Sequence, residues 1–435
     1  MAVDTDIRLR TEMMYSIFVR NYSKEGTLKA VAKDLDRIHS LGTDIIWLMP
    51  VQPTGTVQRK GSLGSPYAIQ DYRRVDPALG TMEDFHSLCW AIHEKGMKVI
   101  LDVVYHHTSP DAWLVRNHPE WFYRKQNGSF GNHIGDWTDI IDFDFSDHAL
   151  WDYLIDTLKM WAEDVDGFRC DVAPLVPTAF WKEARQKVSE VRPGCLWLAE
   201  SSELPFVAYC RREGIGSASD SELYEAFDIC YDYDVSPLFE GYTRGRNSLA
   251  EYAHALNVQE CIYPKNYVKL RYLENHDRPR AAQLIQDDSA LINWTAFSGF
   301  NKGITMIYNG QEKALEHQPT LFDPDPLAWD QGRLDLSDLI RKVADLHADP
   351  FFADTSIQAD ALDPDVLQYV HTGMKKDPEE PDPRRCAGIF SFAGKPLSVR
   401  TSLPDGTYHD LLNDRDILIH NGQIDLDEKP LIFWL

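Results

Sequence analysis

The sequence predicts an α/β chain: a (β/α)8 TIM barrel with a short inserted lobe after strand 3 and a C-terminal antiparallel β domain. Three observations predict it. Eight short apolar runs recur between residues 15 and 312, each followed by a helical pattern, as buried parallel strands alternating with crossover helices require. The connection from His107 to Phe145 is far longer than the usual few residues, which reads as an insertion. Beyond residue 350 the pattern changes to short alternating runs separated by turn signals. The expected boundaries are residues 1–106 and 146–350 for the barrel, 107–145 for the lobe and 351–435 for the C-terminal domain.

The eight runs are 15–20, 44–50, 97–105, 165–172, 195–200, 227–233, 268–277 and 304–312. Between them lie helices with start signals. Thr81 and Asp84 form a capping box ahead of Phe85, Leu88, Cys89 and Ile92 at helical spacing, and Gly96 offers a stop. Ser146 is the expected cap of a helix whose stripe is Trp151, Leu154, Ile155, Leu158 and Trp161. The lobe carries Trp113, Trp121, Phe122, Tyr123, Phe130 and Trp137, which suit its own small core better than a ligand platform. After an acidic, Pro-rich loop at 375–385, runs such as "AGIFSF", "LSVRTSL" and "KPLIFWL" read as strands, with a turn at Pro404-Asp405-Gly406.

Composition narrows the function. The chain has 435 residues, 43% hydrophobic and 26% charged, which is ordinary globular usage. With 68 acidic against 44 basic residues, the net charge of −24 opposes nucleic acid and anionic membrane partners and favours a neutral or cationic ligand. The first residues lack a signal-peptide pattern, and no apolar run is long enough to span a membrane, so a cytoplasmic location is predicted. The seven cysteines are scattered without a CxxC pair and are expected to be reduced. No motif specifies an oligomeric state.

In such a barrel the chemistry belongs at the C-terminal ends of the strands. Asp102, His106 and His107 end the third run, Arg169 and Asp171 the fourth, Glu200 the fifth, and Asn275, His276 and Asp277 the seventh, with Tyr67 in the loop after the second. Arg169 and Asp171, two residues apart on a strand, share one face. Crowded charges should take different roles. Asp171, beside Arg169, is expected to stay ionised as a nucleophile. Glu200, after the apolar Leu196–Ala199, is expected to have a raised pKa and donate a proton, leaving Asp277 to stabilise positive charge. A nucleophilic and an acid/base carboxylate are what a retaining glycosidase needs.

These motifs resemble a known family. "DVVYHH" (102–107), "GFRCDVA" (167–173), "LAES" (198–201) and "ENHD" (274–277) are similar, in order and on matching strands, to the four signature regions of the α-amylase family, glycoside hydrolase family 13. The resemblance extends to 15–23, 65–81 and 306–312, and the C-terminal β domain fits it. It implies Asp171 as nucleophile, Glu200 as general acid/base and Asp277 as transition-state stabiliser. It also implies that His107 and His276 bind the sugar at the cleavage point, that Arg169 orients Asp171, that Tyr67 is a stacking platform and that Asp102 braces the site. The implied substrate is a malto- or isomalto-oligosaccharide.

Two departures matter. Many family members bind calcium through an Asn where this chain has His106, so calcium would lack a usual ligand and no cofactor is predicted. His106 and His107, adjacent on a strand, should face opposite ways and form no two-histidine metal site. Pro174 and Leu175 replace the Lys-His pair that many α-amylases carry after the nucleophile. The alternatives are a transglycosylase or a sucrose- or trehalose-type enzyme of the same family, and a non-catalytic binding subunit. The last predicts loss of a catalytic carboxylate, and all three are present.

Overall fold

The computed structural model describes residues 4–135, 137–375, 377 and 379–435. Eight parallel strands close into a barrel in chain order: β1 Met13–Ile17, β2 Ile45–Leu48, β3 Lys98–Val103, β4 Gly167–Cys170, β5 Leu196–Ala199, β6 Ile229–Tyr231, β7 Val268–Arg271 and β8 Ile304–Tyr308. Seven sit within the predicted apolar runs, and β1 begins two residues ahead of the first run, at Met13. The strands are buried on both faces, as parallel sheets covered by helices are. In β2, Ile45 and Trp47 point into the barrel while Ile46 and Leu48 pack under the helices, the period-2 alternation of a strand. Gly167 opens β4 because a Cβ there would lie 2.5 Å from the Leu196 carbonyl oxygen of β5.

The helices cover the barrel. In α1 (Met82–Glu94) Thr81 and Asp84 make both bonds of the expected capping box, and Phe85, Leu88, Cys89 and Ile92 are buried. In α2 (His148–Trp161) the expected stripe is buried, but the cap is Asp147, not Ser146. The Asp147 carboxylate accepts from Ala149 N at 2.8 Å, while Ser146 N is turned back onto Asp144 at 3.0 Å. An anion at a helix N-terminus gains from the dipole as well as from the hydrogen bond. Further round the barrel, α3 is Thr178–Val188, α4 Ser236–Thr243, α5 Leu249–Ile262, α6 Asp288–Phe300 and α7 Ser337–His347.

The lobe is pinned by a two-residue antiparallel pairing of His107–Thr108 with Ile141–Asp142. Its aromatic residues divide. Trp121 and Phe122 are buried, with Phe122 stacked on Phe143 at 4.9 Å, so they form the expected core. Trp113 is 47% exposed, and Trp137 faces the barrel mouth beside His106 and His107.

The C-terminal domain is two four-stranded antiparallel sheets. One is ordered β9 (Thr355–Asp363), β10 (Val366–Gly373), β11 (Arg385–Ser391) and β16 (Leu431–Trp434). The other is ordered β12 (Leu397–Arg400), β15 (Gln423–Leu426), β14 (Arg415–His420) and β13 (Gly406–Asp410). Val370, Ile389, Ile419 and Phe433 are among the residues that fill the space between them. Of the Pro-rich loop expected at 375–385, Lys376 and Pro378 lie outside the described residues. The six buried cysteines and the exposed Cys261 are all free.

One ion cluster lies outside the barrel wall, where β6 ends. The fully buried Lys269 of β7 donates to Asp220, to Asp234 Oδ1 at 2.9 Å and to the Tyr231 carbonyl at 3.1 Å. Removing one partner of such a cluster leaves buried charge uncompensated, at a cost of about 3–5 kcal/mol. Lys269→Ala is therefore expected to lower the thermal midpoint by several degrees, whereas an unchanged midpoint in a melting scan would show that water reaches the two aspartates.

Candidate active site

The site is organised by the Arg169 guanidinium, which has no exposed surface. Register brings it there: Asp102 of β3 lies directly across the ladder from Arg169 of β4. Its Nη1 donates to Asp102 Oδ1 and to Asp171 Oδ1, each at 2.9 Å. Its Nη2 stands 2.9 Å from Glu200 Oε1. Arg169 and Asp171 thus share the mouth-facing side, as their spacing predicts. Asp171 and Glu200 each extend the ladder one residue past a strand end, through Asp171 N to Val103 O at 2.9 Å and Glu200 N to Cys170 O at 3.0 Å.

Residues 274–277, a short way past the end of β7, bring in the rest. Asp277 N is tied to Asn275 Oδ1 at 2.9 Å, which turns His276 inward and leaves Asp277 at the rim with 44% of its side chain exposed. His276 Nε2 lies 2.8 Å from the Tyr67 hydroxyl and 3.0 Å from Asp277 Oδ2, and the Tyr67 and His276 rings stack at 5.3 Å. Tyr67 also donates to Asp102 Oδ2 at 3.1 Å. His107 Nε2 stands 3.9 Å from Asp171 Oδ2, close enough to share a bound hydroxyl but too far to bond. All eight residues singled out in the sequence, Tyr67, Asp102, His107, Arg169, Asp171, Glu200, His276 and Asp277, therefore meet at one mouth.

The electrostatics differ from expectation in one respect. Arg169 does not serve Asp171 alone but is divided among three carboxylates. Burial, opposed by Arg169 and reinforced by neighbouring anions, raises Asp102 and Asp171 to about 6 and Glu200 to about 7. Glu200 is raised as expected, but Asp171, expected to be held ionised by Arg169, is raised as well because burial outweighs the shared guanidinium. At Asp277 the effect of burial is outweighed by His276 and then Arg169, and its carboxyl lies below the usual range.

His106 and His107 also depart from expectation. They do not face opposite ways: β3 ends at Val103, strand alternation ends with it, and the two Nδ1 atoms are 3.1 Å apart. Burial lowers His106 to about 3 and His107 to about 4, so both rings are neutral, and one Nδ1 donates while the other accepts.

Some site features escaped the sequence reading. Arg169 is boxed by the rings of Trp47 and Tyr231, at 5.2 and 5.6 Å, and the inward alternation of 45, 47 and 49 could have revealed Trp47. Val172 adopts a left-handed backbone, φ 44°, costly for a β-branched residue, and its N–H donates to Glu200 Oε2 at 2.8 Å. No local signal in the sequence marks that turn. Asp171 Oδ2 and His276 Nδ1 are buried without a hydrogen-bond partner among the described residues.

The raised Asp171 carboxyl has a consequence for stability. Its folded pKa of about 6 exceeds its ordinary 3.8, so its protonated form favours folding; that contribution is complete below the lower value and lost as pH rises through the higher. An Asn cannot lose it. The melting temperature of Asp171→Asn should rise relative to the parent between about pH 4 and about pH 7, and a gap constant over that range would show that the native site does not disfavour the ionised carboxylate.

Comparison with known proteins matches this geometry. The family described as "Alpha amylase, catalytic domain" matches residues 13–118 and 110–380, and "Bacterial Alpha amylase C-terminal domain" matches 357–433. An alpha-amylase structure from Lactobacillus plantarum is 43% identical, with 99% of this chain and all of that one covered and a TM-score of 0.93. A maltogenic alpha-amylase from Thermotoga neapolitana is 33% identical over 98% of this chain and 99% of its own, with a TM-score of 0.85. The alpha-1,4-glucan:maltose-1-phosphate maltosyltransferase of Pseudomonas aeruginosa is 30% identical over 71% of this chain. The match covers 49% of that relative, and the chain spans about half or less of the other curated relatives first matched. The folded barrel, its C-terminal domain and the residues gathered on Arg169 therefore belong to a member of the α-amylase family.

Proposed function

We propose that this protein hydrolyses the α-glucosidic bonds of malto-oligosaccharides with retention of configuration. One observation carries the reading: Asp171 and Glu200 stand on neighbouring nitrogens of a single buried guanidinium, with Asp171 Oδ2 unpartnered. That closeness favours the retaining arrangement, with carboxyls roughly 5–5.5 Å apart, over the wider inverting one. Asp171 Oδ2 attacks the anomeric carbon as the glycosidic C–O bond breaks, and Glu200 gives its proton to the departing oxygen. Glu200 then takes a proton from water, which attacks the same carbon and releases Asp171. The product keeps the α configuration. Asp277 faces the positive charge that develops on the ring, while His107, His276 and Tyr67 hold the sugar.

The reaction needs Asp171 ionised and Glu200 protonated. Activity should fall below about pH 6, where Asp171 gains its proton, and above about pH 7, where Glu200 loses its own. Glu200→Gln should lower turnover of ordinary glucans by about 10²–10⁴-fold, yet still form the covalent intermediate with α-glucosyl fluoride, whose leaving group needs no proton. Asp171→Asn should be inactive on both. Detection by NMR of a β-anomer as the first product would overturn the mechanism.

A second reading, transfer of the glycosyl group to an acceptor other than water, draws on the maltosyltransferases among the relatives. Product analysis with and without added glucose or phosphate separates the two. For location we propose the cytoplasm, supported by the free cysteines. No helix among the described residues is long and apolar enough to cross a membrane.

We propose further that the reaction needs no calcium, because the residues do not fit the site that the family implies. His106 replaces an oxygen ligand, and one oxygen of each buried carboxylate nearby is engaged by the protein. Lys60 Nζ lies 3.0 Å from Asp139 Oδ1, and the backbone N–H of His133 donates to Asp142 Oδ2 at 2.7 Å. Among the described residues no group of three or more His, Cys, Asp or Glu is arranged to hold a metal. Dialysis against EDTA should leave the melting temperature unchanged, while Lys60→Met, which strands Asp139, should lower it. A melting temperature that falls with EDTA and recovers with calcium would refute this.

A further inference from the structure

A column of two cations and two rings rises from the floor of the mouth to its rim on the β6 side. The Arg169 guanidinium lies 5.6 Å from the Tyr231 ring, Tyr231 lies 5.1 Å from Tyr233, and the Arg278 guanidinium lies 4.8 Å from Tyr233. The lower end is buried and committed, because Arg169 is shared among three carboxylates. The upper end is partly open: Arg278, the residue after Asp277, keeps 23% of its side chain exposed.

Three elements hold Arg278 in place. Its Nη2 donates to Glu203, three residues after Glu200, and its Nη1 donates to Glu240 Oε1 on α4 at 3.3 Å. Tyr233, two residues past the end of β6, takes one face of the guanidinium. Ion pairs at a surface contribute little to stability, so this bridge is a poor candidate for holding the fold together. It does orient a planar fork of five N–H donors while these two bonds use only two of them. A fork fixed in advance loses little freedom when it donates to a ligand.

In the proposed reaction, Tyr67, His107 and His276 hold the sugar that is attacked, and Glu200 faces the bond that breaks. The group that departs with the Glu200 proton therefore lies outward of Glu200, toward Glu203 and Arg278. Residues 172–178, which follow the nucleophile, are Val-Ala-Pro-Leu-Val-Pro-Thr and offer it no charged donor. We propose that Arg278 is a specificity-determining residue for the leaving group, donating to the hydroxyls of the departing sugar and so favouring sugars over other leaving groups. The inference rests on the proposed retaining hydrolysis and deepens it. An acceptor sugar would meet the same guanidinium, because the covalent intermediate is opened from the side that the leaving group vacates.

The test compares two leaving groups. Maltotriose releases a sugar and α-glucosyl fluoride does not, while the attacked glucosyl unit is the same. Arg278→Met removes the donors at nearly constant length. The ratio of kcat/KM for maltotriose to that for α-glucosyl fluoride is expected to fall roughly tenfold, as loss of one hydrogen bond from a charged donor implies. With α-glucosyl fluoride as donor and maltose added as acceptor, the share of product transferred to maltose should fall with it. Arg278→Lys keeps a cation between Glu203 and Glu240 without the fork, so it should lower the ratio less, and it carries the test if Arg278→Met does not fold. A residue that merely positioned Asp277 would slow both substrates alike, since Asp277 faces the ring charge in either case. An unchanged or higher ratio in the folded variants would therefore overturn the proposal. A parent that cleaves neither substrate would instead refute the hydrolase reading, and this inference with it.

Discussion

A single buried cation shared by more anions than it can neutralise governs this molecule. Arg169 stands within hydrogen-bond distance of Asp102, Asp171 and Glu200, and all four side chains are nearly or fully withdrawn from water. One positive charge against three negative ones leaves an excess of two, which low dielectric makes costly. The cluster lowers that cost by retaining protons, and burial raises Asp102 and Asp171 to about 6 and Glu200 to about 7. In the reaction proposed here, the same imbalance that burdens the fold prepares one carboxyl to donate a proton and another to attack.

Such a cluster needs a rigid frame, since a small displacement of Arg169 would leave buried charge unpaired. The closed parallel barrel supplies it. Asp102 and Arg169 face each other across one ladder, and Asp171 and Glu200 are each anchored by one more backbone bond beyond a strand end. Trp47 and Tyr231 close around the guanidinium with faces that favour a cation. The left-handed Val172 fits this pattern: strain at one residue is tolerated because its N–H is needed on Glu200. What lies outside the barrel acts by position. The lobe brings Trp137 and His107 over the mouth, and the C-terminal domain, by packing against α6, creates a second concave surface at the same end.

The contrast between local and distant information explains what was legible in advance. Apolar runs and the Thr81–Asp84 box are local, and the barrel strands and that helix start followed from them, as did the meeting of Arg169 and Asp171 on one side of β4. Errors arose where a local rule was carried past the end of its element. Alternation stops at Val103, so it could not orient His106 and His107, and the competition between Ser146 and Asp147 turned on Asp144 claiming the serine's backbone. The barrel, its order of strands and the carboxylates at its mouth could be read from the chain alone, because strand period and chain order are properties of neighbouring residues. The division of one guanidinium among three acids, the meeting of Lys60 with Asp139 and the cleft between α5, α6 and the C-terminal sheet emerge with packing, because each depends on groups distant in sequence whose distance and burial exist only once the chain is folded.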